Sequence, residues 1–341
     1  MENKEYVLNL LQNLVNIDSP TGFTKRAINY LISETNKLGF SYKLTNKGNL
    51  IIKIEGKDSN ARGLCAHVDT LGLMVRSIKD NGKLALTKIG GPCLNTLDGE
   101  YCKIYTKEDK VYQGTILSTS NSVHVFEDAS TLARDIDHME VRIDEKVKNK
   151  EDVAKLGISN GDYICIDPKC QIFDNGFIKS RFLDDKLSVA ILFGVLKQIK
   201  DLNIVLDKTT YFIFTVYEEV GHGNSYIPSD IEELLGVDMG CIGLDLSCSE
   251  YDVSICAKDS SGPYDYDMVS KLITIAKKEK LNYAVDIYPM YGSDVSAALR
   301  SSNNIKGALI GPGVGASHGM ERSHYDGVKA TMDLILKYLE N

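Results

Sequence analysis

Two rhythms of apolar and polar positions alternate along the chain. Near the start, Val7, Leu11, Leu14 and Val15 recur at helical spacing and predict an amphipathic helix. The segment SPTG at 19–22 breaks it. A second helix is predicted from Thr24, with Ile28, Leu31, Ile32, Thr35 and Leu38 facing inward and Gly39 as its stop. FSYKL and NLIIKIE then read as two strands with a turn at 46–48, and residues 61–66 form a short apolar strand that ends at His67.

Between residues 73 and 179 the helical rhythm nearly vanishes. LMVRSI, KLALTKI, YCKIYT, VYQGTIL, MEVRID and YICIDP read as short strands between Gly, Asp and Asn turns, with one short helix at 150–156. This texture predicts a small β-rich barrel or sandwich. Helical periodicity returns with Leu187, Ala190, Ile191, Gly194, Val195 and Gln198, behind Asp184 and Asp185 at the helix start. Residues 211–217 are a β-rich apolar run, the pattern of a buried parallel strand, and they end in Glu218 and Glu219. A strand at 241–244 is predicted to end in Asp245. YDVSICAKD, a helix at 264–280, NYAVDIY and a helix start at 292–294 follow. A strand at 308–310 then runs into a loop containing Gly311, Gly313, Gly315 and Gly319, and a final helix spans 326–339. The expected fold class is α/β, with a mixed, largely parallel sheet flanked by helices. Residues 1–72 and 180–341 would form this domain, and 73–179 would be a β-rich domain inserted into it.

Composition narrows the function. The 341 residues carry 47 acidic and 39 basic side chains, a net charge of −8, without Lys/Arg runs. That balance argues against nucleic acid or an anionic membrane as partner. No apolar run approaches the roughly 18 residues of a membrane span. The acids Glu2 and Glu5 make the N-terminus read as part of a mature helix and not as a signal peptide. The eight cysteines include no CxxC pair, and Cys65, Cys241 and Cys256 lie in apolar runs, where a small buried hydrophobe is the ordinary reading. A thiolate zinc site is therefore not expected, and a reducing, cytoplasmic setting is.

The chemistry gathers at strand ends. His67 and Asp69, Glu218 and Glu219, and Asp245 each terminate an apolar run, and His318 and His324 follow another. Sites in open α/β sheets form where the carboxyl ends of parallel strands converge. His, Asp and Glu form the donor set for zinc or a similar divalent ion. Singly, His67 reads as a core histidine, the pair at 184–185 as a helix cap, and the two glutamates as a solvated loop. Their recurrence at successive strand ends points to a metal site.

AHVDT, RFLDDK, YEEVGHG, GLDLS and SHGMERSH, in this order around a β-rich insertion, resemble the co-catalytic di-metal aminopeptidases of metallopeptidase family forty-two. The resemblance covers nearly the whole chain. It implies that His67 and Asp245 bind one metal, that Glu219 and His324 bind the other, and that Asp184 bridges them. Asp69 would orient the imidazole of His67, Glu218 would be the general base, and His318 would line the pocket. The implied cofactors are two divalent ions per chain, zinc foremost, with cobalt or manganese as substitutes. The implied partners are short peptide substrates and further copies of the chain, from dimer to dodecamer. Two other readings stay open on the residues alone: a di-metal amidohydrolase or deacylase of modified amino acids, and a non-catalytic assembly protein that keeps the fold.

Overall fold

The computed structural model describes residues 2–340. The chain forms two compact units, Met1–Asp69 with Lys169–Asn341, and Thr70–Pro168.

The first unit is built on a ten-stranded sheet. At its centre Lys208–Thr215, Asp58–His67, Ile231–Val237 and Lys306–Val314 lie side by side in that order and run parallel. Leu50–Ile54 and Val253–Asp259 flank them antiparallel. Every residue of Lys208–Thr215 except the first is buried, as a strand covered on both faces requires. One of its covers is the helix Leu183–Asp201, which packs on Asp58–His67 and on the helices Glu2–Val15 and Tyr325–Leu339. Gly194 permits that approach, because a Cβ there would lie 2.5 Å from Val7 Cγ2 and 2.9 Å from Met332 Sδ.

Two buried cations close the ends of the outer helices. Lys186 donates to the carbonyls of Leu14 (3.0 Å) and Ile17 (2.8 Å) at the end of the first helix. Arg62 donates to the carbonyls of Tyr338 and Leu339 at the end of the last. Positive charge at a helix C-terminus satisfies orphan carbonyls and complements the dipole, which is how these side chains are tolerated inside.

Two expectations need correction. Residues 241–244 are not a strand that delivers Asp245. Only Gly240–Cys241 pairs, with Gly313 and Val314, and Asp245 stands on an exposed loop beyond it. The strand in the sheet is the preceding Ile231–Val237, which lies between Asp58–His67 and Lys306–Val314 and is followed by Asp238. The insertion is also shorter than 73–179, because Phe177–Ser180 pairs with Gln171–Ile172 on one side and with Glu321–His324 on the other.

The second unit is a closed barrel of six antiparallel strands in the order Gly72–Ile78, Leu84–Ile89, Met139–Ile143, Val111–Ser118, Tyr101–Tyr105 and Tyr163–Ile166. Leu73, Val75, Leu84, Leu86, Ile104, Ile116, Val141 and Ile164 are buried in it. Closure removes the free sheet edges that short strands would otherwise expose. Its helix, Lys150–Leu156, starts where the Asn149 side chain accepts from Asp152 N and stops at the left-handed Gly157.

Candidate metal centre

Three neighbouring parallel strands deliver side chains to one edge of the first unit's sheet. His67 is the last residue of Asp58–His67, Asp238 follows Ile231–Val237, and Glu218 and Glu219 form a short 3₁₀ turn just beyond Lys208–Thr215. Asp184 and Asp185 open the helix Leu183–Asp201 with non-helical backbone angles, and their carboxylates reach these strand ends. His318 comes from the loop after Lys306–Val314, where its φ is +63°.

Asp184 stands at the centre. Its Oδ1 lies 3.1 Å from His67 Nε2, and its Oδ2 lies 3.6 Å from His318 Nε2. Around it are two groups that could each hold a metal ion: His67, Asp184 and Asp238, and Asp184, Glu219 and His318. In each group the donor atoms lie within 4.8 Å of one another. Glu218 Oε2 is 3.7 Å from His67 Nε2.

Three further buried carboxylates hold these groups by their backbones. Asp69 accepts from the N–H groups of Glu218 (3.1 Å) and Glu219 (3.4 Å), and from Thr21 Oγ1 (2.6 Å). Asp185 accepts from His67 N at 3.2 Å. Glu321 accepts from Asp184 N at 3.0 Å and from His318 N at 3.1 Å.

The charges explain what the centre is built for. His67 Nδ1 is 2.8 Å from the Asp69 carbonyl, which can only accept, so Nδ1 carries a proton and Nε2 presents its lone pair to Asp184. Two acceptors 3.1 Å apart need a cation between them, either a proton or a metal. As a result His67 is pushed well above the usual histidine range: burial opposes this, but the bonds to Asp184 and Asp69 and the charge of Glu218 outweigh it. Burial first, and neighbouring acids second, push Glu218 and Glu219 well above the ordinary carboxylate range. Burial and Asp184 raise Asp238 to about 7. Glu219 Oε1 is buried with no hydrogen-bond partner among the described residues. Crowded acids, an orphaned carboxylate oxygen and inward-facing imidazoles fit a divalent cation, and the donors are of the hard and borderline kind.

The family model for M42 glutamyl aminopeptidase matches residues 48–334. The chain belongs to this family. YhfE of Bacillus subtilis (strain 168), provisionally named an aminopeptidase, is 45% identical over 343 residues, which cover 100% of this chain and 99% of that protein. Among solved structures, the Pyrococcus horikoshii TET1 peptidase superposes with a TM-score of 0.85 at 23% identity, covering 98% of this chain and 99% of that one. An aminopeptidase from the archaeon Desulfurococcus kamchatkensis gives 0.88 at 20% identity, covering 100% and 96%. This M42 chain is thus an aminopeptidase, a hydrolase of peptide bonds, of a metal-dependent family.

Of the residues expected in the M42 centre, His67, Asp69, Asp184, Glu218 and Glu219 converge, while Asp245 and His324 do not. His324 caps the last helix. Its Nδ1 accepts from Asp326 N at 3.1 Å, its Nε2 donates to the Asn175 carbonyl at 2.8 Å, and its ring packs edge-on against Phe177 and Tyr251. Both ring nitrogens are committed, so no lone pair remains for a metal. Asp238 and His318 stand in the places expected for Asp245 and His324. Asp238 had a readable signal, since Leu234–Val237 is an apolar run ending in an acid, like the run that ends at His67. His318 had none beyond its proximity to His324.

Proposed function

We propose that this M42 chain releases N-terminal residues from short unblocked peptides at a two-ion centre. His67 and Asp238 would hold one divalent ion, Glu219 and His318 the other, and Asp184 both. The observation that carries this reading is that the two carboxylate oxygens of Asp184 face opposite histidines. When bound, such a pair of ions polarises the scissile carbonyl and makes hydroxide available near neutral pH. Zinc suits the mixed His and carboxylate donors, and cobalt or manganese would substitute.

Glu218 is the general base of this proposal. It lies beside His67 and is held by its backbone to Asp69, and it belongs to neither donor group. Its carboxylate takes the proton of the attacking water and passes it to the departing amine, and its raised proton affinity suits both steps. The pocket at the centre is about 260 Å³ and is lined by Asp184, Glu218, Glu219, Asp238, Tyr291 and His318 among others.

Glu218→Gln tests the reading. The variant should keep its metal and lose about 10²–10⁴-fold in kcat. A fully active variant would overturn the role of Glu218, and release from N-acetylated but not from unblocked peptides would favour a deacylase. Assembly into homo-oligomers, between dimer and dodecamer, is part of the proposal. It is supported by the Pyrococcus horikoshii TET1 structure, described as assembling into a tetrahedron or a large octahedral shell. A cytoplasmic setting suits the eight free cysteines.

A further inference from the structure

The side chains that gather around Asp184 are almost all acceptors. Asp184, Glu218, Glu219 and Asp238 bring carboxylates to the pocket, and Glu218 is needed as a base. When water adds to a peptide carbonyl, negative charge develops on the carbonyl oxygen. A donor aimed at that oxygen and fixed in advance is one of the largest contributions a protein can make to such a step. Ser293 also lines the pocket, but its hydroxyl is committed to Tyr264 (2.8 Å) and to Ser296 N (3.3 Å) as the cap of the helix Asp294–Arg300. Arg300 is exposed.

Tyr291 is different. It lines the same pocket, and its hydroxyl oxygen is buried without a hydrogen-bond partner among the described residues. The hydroxyl lies near enough to Asp238 to favour that carboxylate's charge, without completing a bond to it. Everything else about Tyr291 is tied down. Its N–H donates to Ser260 Oγ at 2.8 Å, and its carbonyl accepts from Ser260 N at 3.1 Å. Its ring meets Tyr288 edge-on, with centroids 5.0 Å apart. Tyr288 is in turn buried, with its own hydroxyl bonded to Ser254 Oγ at 2.6 Å. A buried hydroxyl left unbonded costs the fold stability. A side chain clamped on every side but that one is a donor held ready for an acceptor that arrives with the substrate.

We propose that the Tyr291 hydroxyl donates a hydrogen bond to the scissile carbonyl oxygen and strengthens it as the tetrahedral oxyanion forms, making Tyr291 a catalytic residue of this M42 chain. No proton is transferred. The phenol keeps its hydrogen throughout, the carbonyl π pair moves onto oxygen as the water oxygen bonds to carbon, and it returns when the C–N bond breaks. This rests on the aminopeptidase reading and adds to it a group outside the metal-holding set.

The test compares wild type with Tyr291→Phe, which keeps the ring and its contact with Tyr288. Four quantities are measured on metal-loaded protein: metal content, kcat and KM on an unblocked peptide, and calorimetric affinity for a phosphinic peptide whose tetrahedral P–O⁻ mimics the oxyanion. The proposal expects unchanged metal content and KM. It also expects a loss of about 10²-fold in kcat and a parallel loss in phosphinic-peptide affinity. Unchanged kcat and phosphinic affinity would overturn it. So would a loss of activity that follows weaker metal binding, which would make Tyr291 a positioning partner of Asp238. A wild type that binds the phosphinic peptide yet releases nothing from unblocked peptides would count against the aminopeptidase reading alone, since the affinity comparison still decides the role of Tyr291.

Discussion

The two halves of the proposed centre share Asp184 but are made by different means. The inner half, His67 and Asp238, sits at the ends of adjacent parallel strands, with 1% and 6% of these residues exposed. Sheet hydrogen bonding on both sides fixes where those side chains emerge. The outer half, Glu219 and His318, sits on a short turn and a loop, and 40% of the His318 side chain is exposed. No sheet partner fixes His318 itself, and its backbone is caught instead by the buried Glu321. A strand end is positioned by the cooperative fold, whereas a loop residue is positioned by one or two named hydrogen bonds. The inner half should therefore be the tighter and more robust site, and the outer half the one that opens first under a chelator.

Removing ligands is the largest test of that contrast. His67→Ala should abolish turnover and empty the inner half. His318→Ala should keep one ion per chain where wild type keeps two, with a loss of affinity at the outer half beyond the about 10–100-fold typical of losing an outer partner. His324→Ala should keep both ions and lose only about 1 kcal/mol of stability as a helix cap, and Asp245→Asn should change neither. Metal analysis after dialysis against a weak chelator, read beside kcat, checks the set. Loss of metal in His324→Ala with retention in His318→Ala would reverse the assignment.

A smaller effect separates the means of positioning. Glu321→Gln leaves every ligand in place but offers the N–H groups of Asp184 and His318 one acceptor and one donor in place of two acceptors. It should weaken the outer ion about 10–100-fold and the inner ion less, because His67 is also held by its strand and by Asp185. Equal weakening of both ions, measured by competition with a fluorescent chelator, would show that the two halves are not separately supported.

The same contrast explains what could be read from the chain. The α/β sheet and the β-rich insertion were legible because apolar runs such as 211–217 and the alternation of short strands follow directly from burial. His67 and the glutamate pair were legible because each ends such a run. Asp238 was readable in principle, but the shorter apolar segment before Asp245 carries a similar pattern, and only sheet pairing tells the two apart. The place of His318 in a donor group was not legible. Its position depends on a left-handed backbone and on a bond to Glu321, neither of which leaves a periodic trace, and His324 offered an equally good imidazole six residues on. The two histidines lie in one motif, SHGMERSH, so the donor type is the same with either. Tyr291 was invisible for a related reason, since its place in the pocket depends on a loop pinned by Ser260.

The smallest effect concerns what stands behind the glutamate turn. Asp294 is buried, and it accepts from Asn224 N at 2.9 Å and from Thr215 Oγ1, so it fixes the chain on both sides of Glu218 and Glu219. Burial raises its carboxyl to about 6 from the ordinary 3.8. Because the folded form holds its proton more tightly than the unfolded form, the associated stability is fully present below about pH 3.8 and is lost as pH rises through about 6. The rise corresponds to at most about 3 kcal/mol. Asp294→Asn cannot titrate and keeps an acceptor and a donor for the same two partners. In chelated protein, where no cation offsets the charge, the melting temperature of the variant relative to wild type should climb between pH 4 and about 6 and level off above. Metal-loaded protein should show a weaker climb, since a cation nearby favours the ionised Asp294. Parallel melting curves for variant and wild type across that range, with and without chelator, would mean that Asp294 stays ionised in the folded chain and that it holds the turn as a charged clamp.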